Sequence, residues 1–266
     1  AALSATVIDP EAARDLPPGW AIYCLVRDKN RGARDRLDDV ARAHGIDPDR
    51  YVIVHGSLDA DRFGLPEEAW AALARAVTQV VHCAAMVNLA IGREHMLEWS
   101  ARSIDQVLAF CRDAGADLRF TSSSAVFPDR GGPWPEAPAT AWEGCTGYGA
   151  AKIAAEDAIR ASGIAAAIVR LPSLYDLHVP NPRDIYEIIL AASLEAGVIP
   201  EALEFPMTDV HAAAAFLLGP VTDRDAPIYN LIAETRIAPT GPASVPADVW
   251  LETVALDPGI AGVIAD

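Results

Sequence analysis

The chain has 266 residues, about half of them hydrophobic, and a formal net charge of −16. That length can bury the core of one large domain, or of one domain with a small appended lobe, and the hydrophobic content excludes a disordered chain. The acidic balance argues against a nucleic-acid partner, whose phosphates reward Lys and Arg, and charges break every apolar run before the roughly 18 residues of a membrane helix, so no membrane partner is expected.

The opening on Ala1 rather than Met suggests a piece of a longer polypeptide, and Ala1 to Pro10 lacks a basic leader, so a cytoplasmic location is expected. A first strand is expected at Ala5 to Ile8. The runs 21–27, 51–56, 79–85, 117–123 and 165–171 are short, β-branched and nearly continuous, as in strands buried on both faces of a parallel sheet. Amphipathic stretches at 31–44, 66–77, 93–114 and 147–162 lie between them. This alternation predicts an α/β fold: a doubly wound parallel sheet with helices on both faces.

After Pro172 the pattern changes. A helix is expected from Asp184 to Glu195, then the segment 205–218, a strand at 228–232, a Pro/Gly/Ala linker at 238–247 and a short helix around Val249. The division predicted is a core at 1–175 and a small C-terminal substrate lobe at 176–266, of which about 205–232 returns to the core. The Pro-rich segment 128–144 reads as a loop at a substrate entrance or an ordinary surface connection.

Cys24, Cys83, Cys111 and Cys145 form no CxxC pair and read as free thiols. The six His show no metal-ligand spacing, and His82, at the end of an apolar run, reads as structural. Arg27, Arg31, Arg34 and Arg36 form a basic cluster that suits an anion; Asp35, Asp38 and Asp39 among them equally suit a solvated helix face.

The chemistry concentrates at Tyr148-Gly-Ala-Ala-Lys152, which holds one of only two Lys in the chain. Four-residue spacing puts both side chains on one helix face. A neighbouring ammonium is expected to lower the phenol pKa, so that Tyr148 exchanges a proton near neutral pH. Upstream, Thr121-Ser122-Ser123-Ser124 closes a predicted central strand at its carboxyl end, where reacting groups gather.

CLVR (24–27), HCAA (82–85) with Val87-Asn88, SSSAVF (122–127), GYGAAK with Glu156, VRLPSLY (169–175) and NPRD (181–184) together resemble terminal thioester reductase domains. These occur in nonribosomal peptide and polyketide synthases, with relatives in carboxylic acid reductases, and belong to the extended short-chain dehydrogenase/reductase superfamily. The resemblance covers roughly 20–235. It implies a Rossmann-like core, a catalytic triad of Ser123, Tyr148 and Lys152, and Arg27 as the partner of an NADPH 2′-phosphate. It also implies a carrier protein presenting an acyl or peptidyl chain on phosphopantetheine.

The departures lie in the cofactor region. Where the family has a TGxxGxxG turn, the segment Thr6–Gly19 has one Gly and carries Asp9-Pro10-Glu11. Close approach of a pyrophosphate to a helix N-terminus needs glycines there. Gly56-Ser57-Leu58 lacks the acid that contacts adenine, and Ser100 stands where Asn is usual. The expectation is therefore no cofactor, with Arg27 a remnant, and non-redox processing of the thioester: Dieckmann-type cyclisation, other C–C bond formation or hydrolysis. NADPH-dependent reduction to an aldehyde or alcohol is the alternative, and a non-catalytic scaffold domain the third reading.

Overall fold

A computed structural model describes residues 21–27, 32–43, 45–86, 92–128, 132–176, 184–201, 205–219, 222–231, 236–237 and 241–255. They divide into two compact units, one running to Leu171 and resuming over Val210–Leu231, the other taking Pro172–Asp209 and the residues from Ile232 onward.

In the first unit, strand β1 (Ile22–Val26) leads through helix α1 (Ala33–Ala43) to β2 (Tyr51–His55), its parallel partner, with Tyr23 opposite Val52. Helix α2 (Glu67–Ala76) precedes β3 (Gln79–His82), and helix α3 (Arg93–Ala114) connects β3 to β4 (Asp117–Ser123). Helix α4 (Gly147–Ala161) connects β4 to β5 (Ala166–Leu171). The second unit contains β6 (Ser173–Tyr175), α5 (Ile185–Ala196), β7 (Val198–Pro200) and β8 (Phe205–Asp209). The chain returns to the first unit with α6 (Val210–Leu218) and β9 (Ile228–Asn230). It ends, as described, with β10 (Arg236–Ile237), β11 (Ala243–Val245) and α7 (Ala247–Ala255) of the second unit.

The parallel α/β character follows the sequence expectation, but the described strands of the first unit form two sheets, β1-β2 and β3-β4-β5-β9. In a doubly wound order the place between β1 and β3 belongs to a strand earlier in the chain. The strand expected at Ala5 to Ile8 lies outside the described residues.

All six residues of β5 and residues 118–122 of β4 are buried, which explains their near-continuous apolar runs. The core over them centres on Phe63, Trp70 and Phe110, with ring centroids 5.0–5.7 Å apart. Each such side chain contributes about 1.5–3 kcal/mol by leaving water. Trp70 keeps its indole N–H satisfied at Asp113 Oδ2, 2.8 Å away. Helix α3 stops at Gly115, whose φ of 63° suits a residue without a Cβ.

In the second unit β8 pairs with β6 in parallel and with β10 antiparallel, while β7 pairs with β11. Asp184 caps α5 by accepting from the Tyr186 and Glu187 amides. Trp250 on α7 is buried against Ala192 and donates to Ser193 Oγ at 3.0 Å.

Candidate active site

At the carboxyl end of β4, Ser123 accepts from Ala125 N at 3.2 Å and so starts the tight turn Ser124–Val126. Helix α4 begins beside that turn: Thr146 is its N-cap and accepts from Gly149 N at 3.0 Å. Tyr148 falls in the first helical turn, half-buried, with its side chain near that of Ser123. Lys152 follows one turn later and is buried; its Nζ donates to Thr121 O at 2.6 Å. The ammonium lies 4.7 Å from the Phe120 ring centroid and 5.7 Å from that of Tyr148. Ser123, Tyr148 and Lys152 thus come together in the first unit.

Gly149, which the sequence reading passed over, allows this meeting. A Cβ there would stand 2.2 Å from Ala125 O and 3.2 Å from Cys145 Sγ. Only glycine lets α4 lie so close to the turn after Ser123. Gly149→Ala is expected to cost about 1–3 kcal/mol, as overpacking does, and to part Tyr148 from Ser123. Urea denaturation and turnover, measured on the same sample, check both effects.

The phenol departs from expectation. Burial raises the Tyr148 pKa above its ordinary value; the Ser123 side chain nearby only partly opposes this. Lys152 turns its ammonium to the Thr121 carbonyl, so its charge does not create a ready phenolate. At neutral pH Tyr148 is therefore a proton and hydrogen-bond donor.

Lys152 itself is pushed down to about 8 by burial, with Cys83 and Glu156 holding it up. Its ordinary value is 10.5, so between about 8 and 10.5 the unfolded chain keeps a proton that the folded chain has released. Stability contributed by this group therefore rises with pH across that window. Lys152→Met removes the dependence. Its stability relative to the parent protein is expected to fall between about pH 7 and about pH 10, read by urea denaturation.

His82 ends β3, stacks on Phe120 at 5.6 Å and is pushed to about 3 by burial and then by Lys152. It is neutral at physiological pH, in keeping with a structural role. A recess of about 360 Å³, open solvent included, opens beside these groups and is lined by Met96, Trp99, Ser103, Tyr148 and Lys152 among others. Ser100 also lines it and donates to Ala151 O at 3.3 Å. Among the described residues no cluster of His, Cys, Asp and Glu suits a metal ion.

Arg27 follows β1 at its carboxyl end, half-buried; the Ser57 hydrogen bond first, and the Arg27 charge to a lesser degree, hold the Asp59 carboxyl below its ordinary range. Asp59 accepts a hydrogen bond from Ser57, so an acid does stand near the turn after β2, two residues beyond the position read in sequence. Arg34 pairs with Asp38 at 3.6 Å on an exposed face, as a solvated helix would. Arg31, the side chain of Arg36, and Val87-Asn88 lie outside the described residues. Cys111 and Cys145 are buried and Cys24 and Cys83 half-buried; none of the four is in a disulfide. Burial pushes Cys24 to about 11 and Cys111 to about 12, which leaves both unreactive near neutral pH.

A parallel α/β sheet with Ser, Tyr and Lys gathered at one carboxyl edge defines a domain of the extended short-chain dehydrogenase/reductase class. Residues 14–212 match an NAD-binding family model described as Male sterility protein, and the chain belongs to that family. It is 27% identical over 202 residues to glycine betaine reductase ATRR of Emericella nidulans, a match covering 68% of this chain and 16% of that protein. The chain thus spans about a sixth of that relative's length. Its structure resembles the terminal R domain from the myxalamid PKS-NRPS biosynthetic pathway, with a TM-score of 0.83 at 20% identity, covering 97% of this chain and 74% of that one. It also resembles a thiolation-reductase di-domain from an archaeal nonribosomal peptide synthetase, with a TM-score of 0.67 at 16% identity, covering 89% and 73%. No helix among the described residues is long and apolar enough to cross a membrane.

The family implies a nicotinamide cofactor, and the described residues meet its needs unevenly. Tyr148 and Lys152 offer polar groups to an open recess. A pyrophosphate needs converging backbone N–H groups at a glycine-bearing turn. Gly56, after β2, is not such a turn: a Cβ there would lie 2.5 Å from Phe63 O and 2.8 Å from Leu25, so packing alone requires glycine. The segment Thr6–Gly19 lies outside the described residues. The described residues thus hold the groups that would face the reacting end of a dinucleotide and do not include the segment where its pyrophosphate would rest.

Proposed function

We propose that this domain processes or releases an acyl or peptidyl chain held as a thioester on a carrier protein, without hydride transfer. The gathering of Tyr148 near Ser123 at the carboxyl end of β4, with buried Lys152 bonded to the Thr121 carbonyl of the same strand, carries this reading. A neutral phenol and a serine hydroxyl suit the stabilisation of charge that develops on a thioester carbonyl oxygen. In the Dieckmann-type form, a carbon flanked by two carbonyls, acidic enough to exchange with solvent, loses its proton to water and attacks the thioester carbon. The C–C bond forms, the C–S bond breaks, and the phosphopantetheine sulfur leaves and takes up a proton. Water in place of the carbon nucleophile gives hydrolysis. Tyr148 and Ser123 hold the oxyanion, and Lys152, as an ammonium, stabilises the negative charge near it.

The likeness to a thiolation-reductase di-domain supports the carrier partner, and a cytoplasmic location is proposed with it. The second unit is assigned to the acyl substrate, as the small lobe expected after the core.

NADPH-dependent reduction is the second reading, favoured by the NAD-binding family and by Arg27. Two carboxylates at Asp9 and Glu11, and no amide proton at Pro10, oppose phosphate binding in the segment where the family has its glycine-rich turn. Calorimetric titration with NADPH separates the two readings. Binding weaker than about 100 μM is expected, and a dissociation constant near 1 μM would put the reductive reading first.

A further inference from the structure

We propose that Glu156 is a positioning residue: through Ser122 and Arg170 it sets the rotation of α4, and so the meeting of Tyr148 with Ser123. The inference rests on the reading of those residues as the reacting site. Tyr148, Lys152 and Glu156 occupy one stripe of α4 at four-residue spacing, so whatever anchors Glu156 fixes the angle of the other two. Glu156 is buried, and Ser122 Oγ donates to its Oε1 at 2.5 Å. Ser122 adjoins Ser123 on β4, so this bond ties the helix to the strand one residue before the site.

Arg170, fully buried on β5, holds the other side. Its Nε donates to Glu156 Oε1 at 2.9 Å and its Nη2 to Oε2 at 2.6 Å. The same guanidinium donates to Ala137 O at 2.9 Å and lies over the Phe127 ring at 4.8 Å. Phe127 stacks on Trp134 at 5.2 Å, and Asn230 on β9 donates to Trp134 O at 2.9 Å. One carboxylate thus ties α4, β4, β5 and, through Arg170, the loop around 134–137. The loop is pinned inward at Ala137 and Trp134, so it holds a fixed pose near the polar end of β4. A buried ion pair is a poor source of net stability, and fixing geometry is its better-attested use.

The test uses Ser122, because its replacement leaves the ion pair intact. Ser122→Thr keeps the hydroxyl; Ser122→Val has nearly the same volume without it. With carrier-bound thioester as substrate, Ser122→Val is expected to lower kcat about tenfold with KM within about twofold, while Ser122→Thr stays close to the parent. The second readout does not depend on turnover. Tyrosine labelled at its ring carbon Cζ is titrated by NMR, with Tyr148 assigned from Tyr148→Phe. Burial raises the Tyr148 pKa and the nearness of Ser123 opposes that rise, while Lys152, Cys83, neutral His82 and the Glu156–Arg170 pair around the site are unchanged. The Tyr148 midpoint is therefore expected to rise by about half a unit or more in Ser122→Val and to stay in place in Ser122→Thr. Equal midpoints in all three proteins overturn the positioning role. A shifted midpoint without turnover in any of them leaves it standing and counts against the thioester reading.

Discussion

Tyr148→Phe is expected to lower kcat by about 10²–10⁴-fold with the fold unchanged, the range in which a positioned proton donor acts. That is about 2.7–5.5 kcal/mol of transition-state stabilisation. Phenylalanine keeps the ring beside Lys152 and removes only the hydroxyl that meets Ser123. Because burial keeps Tyr148 protonated, the loss is one of hydrogen-bond donation to an oxyanion. It falls on kcat more than on KM, since the donor is needed most where charge develops. Steady-state kinetics with a carrier-bound thioester, beside circular dichroism of the same variant, measures it. A variant with near-parental kcat removes Tyr148 from the mechanism.

The second large effect is on stability. Glu156 and Arg170 are 2% and 0% exposed, so removing either leaves a charge buried without its partner. Arg170→Met or Glu156→Leu alone is expected to cost about 3–5 kcal/mol. The double variant, which removes both charges, is expected to recover most of that loss, because two apolar side chains of similar volume do not carry the desolvation penalty. Urea denaturation of the two single variants and the double variant forms the cycle. Additive losses would show that the pair is not coupled.

Much of this was legible in the sequence, for physical reasons that differ by element. The helix expected at 93–114 and the strand at 117–123 coincide with α3 and β4, and α4 differs from 147–162 by one residue at its end. Long periodic segments and fully buried strands leave strong patterns. The strands β6, β7, β10 and β11 have two or three residues and no period to read, so the segment 238–247 read as a linker although β11 and the start of α7 lie in it. The four-residue spacing of Tyr148 and Lys152 showed that they share a face. It did not show that Lys152 would turn to Thr121, or that burial would raise the phenol pKa. Gly149 carried no signal of its own, because its role depends on Ala125, far away in the chain. Arg170 carried one: a charge inside the apolar run 165–171 needs a buried partner, and Glu156 is that partner.

The central claim is thioester processing without hydride transfer, and one measurement tests it most directly. The domain is incubated with an acyl chain loaded on its phosphopantetheine carrier, with and without NADPH, and the released product is identified by mass spectrometry. The account predicts the same product at the same rate in both reactions, at the oxidation level of the starting acyl chain. An aldehyde or alcohol that forms only when NADPH is present would contradict it.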